Sequence, residues 1–288
     1  MTAPVPTAPG PGAVVRSTGR FLASELRLLF GRRRNQVALL ALAAVPVIIA
    51  AAIRWNDGPR RDGRAGPDFF SSITGNGIFV GFAGLVVELG LFLPVVVAMF
   101  SGDAVAGEAH GGTLRYLLAV PVGRVRLLVV KYLAVVVGCV AASLVVAGAG
   151  VIAGSLLFGT GDVTTLSGVT ISLPVALWRL GLSALYVAAG LAALAAVGLF
   201  ISTLTEQPIA AMVATVAFST ISWILDSVPQ LDWLHPWLLV HRWQAFADLL
   251  REPPHLEVIG VGLAVDAGYA VVFLLAAWAR FAGKDITS

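Results

Sequence analysis

Two acidic side chains stand where acids are costly. Glu88 lies in VVELG within the apolar run Ile78–Phe100, and Asp266 lies in AVDAG within Val258–Arg280. An ionisable group at bilayer depth costs about 2.5–3.5 kcal/mol on insertion scales, so it normally faces a cavity or a partner. Either acid could mark a polar point on a pathway, touching a cation or carrying a proton. A cross-helix hydrogen bond, or a neutral protonated acid, is the plainer account. Glu88 is the stronger functional candidate because Pro94 follows it, and a proline inside a helix frees a carbonyl and bends the chain. Asp232, His235 and His241 can be assembled into a metal site on paper, but their spacing fits no zinc signature, so no bound metal is expected. The chain has no G-x-x-x-x-G-K-[ST], no H-E-x-x-H and no G-x-S-x-G. It is therefore expected to hold no nucleotide of its own, to carry no catalytic residues and not to be an enzyme.

The richest polar segment is Ser101–Tyr132, SGDAVAGEAHGGTLRYLLAVPVGRVRLLVVKY, which interrupts two apolar runs. It holds Arg115, Arg124, Arg126 and Lys131 with Asp103 and Glu108. The preceding span is expected to continue past Phe100 until Gly111-Gly112 stops it. Thr113 can cap a short helix carrying Leu114, Tyr116, Leu117 and Leu118. Pro121 ends that helix, and Val122–Lys131 leads into the next span.

These residues must be positioned by membrane helices. The chain has 288 residues, 58% hydrophobic and 12% charged, with a mean hydropathy of +0.90. Soluble domains carry roughly 25% charged residues; half that number cannot cover a water-facing surface. Six continuous runs reach the 17–25 or so apolar residues that a spanning helix needs: Val37–Ile53, Ile78–Phe100, Tyr132–Phe158, Leu180–Ser202, Ile209–Leu225 and Val258–Arg280. Continuous rather than alternating patterning argues for helices and against a barrel. The expected fold is an all-α integral membrane protein with six transmembrane helices. Gly150-x-x-x-Gly154 marks close helix packing without identifying a dimer face. The lone Cys139 lies within the third span and is read as packing.

Residues 1–15, rich in Pro and Ala, read as a disordered tail. Over 16–35, Phe21, Leu22, Leu26, Leu29 and Phe30 recur at helical spacing, with Arg20, Ser24 and Arg27 opposite and Glu25 breaking the pattern. This predicts an amphipathic interfacial helix whose Arg32, Arg33 and Arg34 sit among lipid headgroups. The six-span membrane domain then occupies 36–288. Placing both termini in the cytoplasm puts twelve Lys/Arg inside and seven outside, of nineteen, as the positive-inside rule requires. Arg54, Arg60, Arg61 and Arg64 oppose it. The basic balance reflects orientation and lipid contact; no aromatic interleaving suggests nucleic acid. Trp233, Trp237 and Trp243 in the outer segment 226–257 suit a membrane interface.

GEAHGGTLRYLLAVPVGRVRLLVVKYLAV resembles the loop of type-2 ATP-binding-cassette (ABC) exporter permeases, integral-membrane subunits driven by a separate ATPase. The matching positions are Glu108, Gly112, Thr113, Leu114, Leu117, Leu118, Pro121, Arg124 and Lys131. The basic helix before span one, the six spans and the Lys284-Asp285-Ile286 tail extend the likeness. His110 and Gly111 depart from it, where many members carry another polar or acidic residue. The resemblance implies that Asp103–Pro121, with Arg124, docks on the ATPase through a cytoplasmic coupling helix and relays its closure. It further implies two ATPase subunits holding the ATP and magnesium, a second permease subunit as homodimer or heterodimer, outward transport, and a multi-pass place in the plasma membrane. A proton-coupled transporter or a membrane enzyme using Glu88 or Asp266 is the rival expectation.

Overall fold

The computed structural model describes residues 11–55, 76–110, 124–165 and 167–282. Among the described residues there are eight α-helices: α1 (Pro11–Gly31), α2 (Arg33–Trp55), α3 (Phe79–Leu89), α4 (Phe92–His110), α5 (Arg124–Phe158), α6 (Leu173–Leu204), α7 (Pro208–Asp226) and α8 (Leu256–Ala282). A two-stranded antiparallel hairpin, β1 (Val163–Thr164) with β2 (Thr170–Ile171), joins α5 to α6, and pairs Val163 with Ile171. Among the described residues six helices are long and apolar enough to cross a membrane: α2 and α4 to α8. The protein is all-α and multi-pass. The first helix begins at Pro11, inside the segment expected as a tail.

One expected span is two helices. The run Ile78–Phe100 breaks at Gly90-Leu91, between α3 and α4. Pro94 has no N–H to give the Gly90 carbonyl, and its ring crowds that carbonyl. The chain turns instead, with the Leu91 amide donating to the Glu88 carbonyl at 3.3 Å. Beyond the break, α4 continues past Phe100 to His110, as its uninterrupted helix-compatible sequence predicts.

Helix α6 is the axis of the bundle. Its 32 residues rise about 48 Å at 1.5 Å per residue, and α4, α5, α7 and α8 all pack on it. Without a hydrophobic drive between helices in lipid, close backbone approach through small residues supplies the contact. The Gly150/Gly154 pair does this within the chain. A Cβ at Gly150 would lie 2.5 Å from the Gly81 Cα, and one at Gly154 would collide with the Gly77 carbonyl. Gly77 and Gly81 thus face Gly150 and Gly154, and α3 lies directly on α5. Asn76 starts α3 by accepting from the Ile78 amide at 3.0 Å, while its side-chain amide donates to the Gly161 carbonyl at 3.0 Å.

The segment between α7 and α8 folds as short 3-10 turns, Pro229–Leu231, His235–Trp237 and Ala245–Leu250. Trp233 and Trp237 are exposed, as interfacial tryptophans should be, but Trp243 is fully buried. Gly190 makes room for it: a Cβ there would sit 2.7 Å from the Trp243 indole nitrogen. The Tyr186 hydroxyl donates to the Arg242 carbonyl at 2.8 Å, and Arg179 donates to the Leu249 and Arg251 carbonyls. Phe246 and Leu250 complete the buried contact. Trp243 is therefore a core anchor rather than an interface residue.

The glycine crossing gives a stability test. Gly150→Ala should destabilise the purified chain by about 1–3 kcal/mol, the usual cost of overpacking. Gly148→Ala, with nothing within 4 Å of the new carbon, should be neutral or slightly stabilising. Thermal unfolding of both variants in detergent compares them directly; equal midpoints would exclude the crossing as a stability determinant.

Candidate functional site

Six charged groups, from α1, α2, α4, α5 and the α1–α2 joint, meet at one end of the bundle. The Lys131 ammonium, near the start of α5, lies 2.5 Å from Glu108 and 3.4 Å from Glu25. Arg32 pairs with Asp103 at 2.7 Å, and Arg34 pairs with the same carboxylate. Glu25 belongs to α1, Asp103 and Glu108 to α4. In these pairings three cations face three carboxylates.

Local sequence explains each placement. On α1 the inward face carries Phe21, Leu22, Glu25, Leu26, Leu29 and Phe30, and Arg20, Ser24 and Arg27 face out. Glu25, the misfit in the apolar stripe, is the residue that reaches Lys131. The α1–α2 joint at Arg32 is fastened by two side-chain amides. Asn35 donates to the Leu29 carbonyl at 2.7 Å and Gln36 to the Phe30 carbonyl at 2.9 Å. Those carbonyls are among the last four of α1, which have no helical partner. Leu29 then packs with Phe100 over Gly138, where a Cβ would meet the Phe100 ring at 2.9 Å.

The two halves of the cluster differ in kind. The Lys131 side chain is 2% exposed, and Glu108 and Glu25 are 14% and 13% exposed. Arg32 and Arg34 are about half exposed, at 46% and 49%. Exposed pairs contribute about 0–1 kcal/mol. A buried pair contributes little net stability when intact, yet breaking one by removing a partner costs about 3–5 kcal/mol. Arg32 and Arg34, expected among lipid headgroups, are instead turned onto Asp103.

Asp103 and Glu108 are thus brought together with the stem of the loop that follows. Lys131 and Glu25 join them; the lysine was visible in the loop resemblance, while Glu25 showed only as a break in periodicity. Gly112, Thr113, Leu114, Leu117, Leu118 and Pro121, with the short coupling helix expected over 113–120, lie outside the described residues. Arg124 opens α5, and its side chain lies outside them too.

Above the cluster, Ser202 of α6 enters the backbone of α4. Its hydroxyl donates to the Gly102 carbonyl at 2.8 Å and accepts from the Ala106 and Val105 amides at 2.8 and 3.2 Å. Gly102 and Ala106 form one helical rung, so the hydroxyl sits within it, an arrangement that bends helices. Gly102 also admits α7: a Cβ there would lie 2.8 Å from Met212 Cγ.

The two intramembrane acids are not brought together. Glu88 is completely buried on α3, with neither carboxylate oxygen bonded among the described residues. Asp266 is buried on α8, one turn beyond Gly262, which abuts the Tyr186 hydroxyl. Helix α3 packs mainly on α5 and α2, and α8 on α6. Among the described residues no hydrogen bond or ion pair joins either acid to another titratable side chain, although Asp266 lies near enough to Tyr186 to act on its hydroxyl electrostatically.

Compared with known proteins, residues 31–222 match the family model described as ABC-2 family transporter protein. Over 117 residues the chain is 32% identical to the "Probable ABC transporter permease protein NosY" of Stutzerimonas stutzeri, a match covering 38% of this chain and 39% of that protein. The chain thus spans about two fifths of the length of that curated relative.

Charge removal separates the two halves of the cluster. Lys131→Met should cost about 3–5 kcal/mol by removing the buried ammonium that Glu108 and Glu25 share. The double variant Lys131→Met, Glu108→Gln should recover part of that loss, a coupling on the order of 0.5–3 kcal/mol. Arg34→Ala should change stability by about 1 kcal/mol or less. A double-mutant cycle by thermal unfolding reads all three; strict additivity would refute the ionic coupling.

Proposed function

Because this chain belongs to the ABC-2 family of transporter proteins, we propose that it is the membrane-spanning permease subunit of an ATP-driven exporter, coupled through its 101–131 loop to a separate ATPase. The observation that carries this reading is the ionic clamp on the loop's two stems. Glu108 lies on the first stem of that loop, two residues before His110, and Lys131 on the second, seven residues after Arg124. Their 2.5 Å contact ties α4 to α5, and Glu25 adds α1. A push on the loop therefore enters three helices together.

From the clamp the displacement has a defined route. Asp103 and Glu108 sit on α4, whose Gly102 carbonyl and Val105 and Ala106 amides are held by Ser202 of α6. Gly102 also lies against Met212 of α7. A shift of α4 would be passed to α6 and α7, and relative movement of α4 and α7 would open the path outward. Asp103, Glu108, Gly112, Thr113, Leu114, Leu117, Leu118, Pro121 and Arg124 are assigned to coupling. Two such permease subunits, alike or different, would enclose the path, with two ATPase subunits below holding ATP and magnesium. The loop end is assigned to the cytoplasm, with both termini, from the bias of basic residues.

Glu88 supports a second reading, proton-linked transport, through its enclosed carboxylate, unbonded among the described residues. The two readings part on energy source. Reconstituted with its ATPase in vesicles, the chain should support ATP hydrolysis that Leu117→Asp with Leu118→Asp reduces about tenfold or more. That change approximates the loss of 1.4 kcal/mol of coupling or above. Glu88→Gln should leave hydrolysis within about twofold. Flux driven by a pH gradient without ATP, abolished by Glu88→Gln, would replace the exporter reading.

A further inference from the structure

We propose that Asp226, His235 and His241 form a binding site for a divalent first-row transition cation at the end of the bundle opposite the ionic cluster. One ligand atom from each residue lies within 4.8 Å of the other two. Asp226 ends α7, and the histidines come from the turns that follow. The sequence spacing suggested Asp232 as the acid and no metal. Folding instead delivers Asp226, nine residues before His235, because α7 terminates under the turn segment.

The geometry is that of a site held ready. Nδ1 of His241 lies 2.6 Å from Asp226 Oδ1. The His235 and His241 rings lie 5.7 Å apart, centroid to centroid, tilted by 33°. Nε2 of His235 is 3.1 Å from the Val228 carbonyl. A carbonyl partner of this kind is the common outer-shell bond of a metal-binding imidazole, since it fixes which nitrogen keeps its lone pair. Asp232 stands at the rim, its Oδ1 3.6 Å from Nδ1 of His235.

The backbone between the histidines is locked rather than loose. Arg242, next to His241, donates to the carbonyl of Pro236, next to His235, at 2.9 Å. The Arg242 carbonyl accepts from Tyr186 at 2.8 Å, and Trp243 is buried against Gly190. The two imidazoles therefore come together through bonds that do not involve the imidazoles themselves. Positioning of ligands by a second layer of contacts is what a metal site requires.

The donor set selects the cation. Two imidazoles and one carboxylate suit zinc, copper, nickel or iron, whereas magnesium and calcium take all-oxygen shells. Zinc bonds of about 2.0–2.1 Å set tetrahedral ligand atoms about 3.3 Å apart. From 2.6 Å the Asp226 and His241 atoms would part by about 0.7 Å, no pair within 4.8 Å would need to close by more than about 1.5 Å, and the fourth position stays open to water or to Asp232. The carboxylate offsets one of the two positive charges. Bound metal would pin the end of α7 to the 3-10 turns, closing this end of the bundle.

The test uses the full chain in detergent, purified without a polyhistidine tag and stripped with chelator. Zinc competed against a chromophoric chelator should bind at one per chain with micromolar or tighter affinity. His235→Gln and His241→Gln should each weaken binding about tenfold or more, while His255→Gln should leave it unchanged. Zinc should raise the thermal midpoint of the parent chain and not of the double variant, whose metal-free midpoint should match the parent's. Millimolar binding, or one-to-one binding that survives loss of both histidines, would overturn the site and leave the trio as an ordinary histidine–aspartate contact. The outcome is independent of ATP coupling.

Discussion

The Lys131 ammonium cannot stand alone where it is. At 2% exposure it has left water, and the penalty for doing so is several kcal/mol unless partners replace the lost solvation. Glu108 and Glu25 are those partners, one from α4 and one from α1. The three helices must consequently arrive together. This explains how α1, with Leu29 its one buried apolar side chain among those described, is held against the bundle. It also explains why an amphipathic helix carries an acid on its inner face.

Deeper in the bundle the constraint changes from charge to distance. Gly77, Gly81, Gly150 and Gly154 bring α3 onto α5, Gly102 admits Met212, and Gly198 admits Ser101 and Thr215. These contacts work because lipid offers apolar side chains nothing that another helix cannot, so backbone proximity and shared hydrogen bonds decide association. Ser202 shows the second device. Its hydroxyl donates to the Gly102 carbonyl and accepts from the Ala106 amide, so α6 shares the backbone bonding of one α4 rung.

Most of the architecture is legible in the sequence because burial in lipid leaves a continuous apolar run, and a run is a local signal. Five of the six expected spans are single helices, three near the expected limits, while α5 starts at Arg124 rather than Tyr132 and α6 at Leu173 rather than Leu180. The sixth, Ile78–Phe100, is broken because Gly90 and Pro94 act together, and hydropathy does not record a missing donor. The loop motif singled out Asp103 and Glu108, and their charges alone could not say which cations they meet. Arg32 and Arg34 precede Asp103 by about seventy positions, and Glu25 precedes Lys131 by more than a hundred. Such pairings are products of helix packing. Trp243 was misread for the same reason, since the space it fills is created by Gly190 on another helix. Asp226 was passed over beside the histidines because it lies at the end of an apolar span, where acids usually cap or face solvent.

The two ends of α6 are gripped in opposite ways. Towards its start, Arg179, Tyr186 and Gly190 hold the turn segment by carbonyl bonds and by a fully enclosed indole. Towards its end, Gly198 and Ser202 hold α4, whose polar face continues into a cluster with two half-exposed arginines. Enclosed apolar contact is dense and resists displacement. Ion pairs open to water can exchange partners at little cost. The bundle is therefore stiff at the turn end and adjustable at the loop end, with α6 joining them over about 48 Å. A load applied at the loop would be absorbed first by re-pairing around Asp103. It would then tilt α4 at the rung that Ser202 occupies, while the buried Lys131 triad keeps α1 and α5 moving with it.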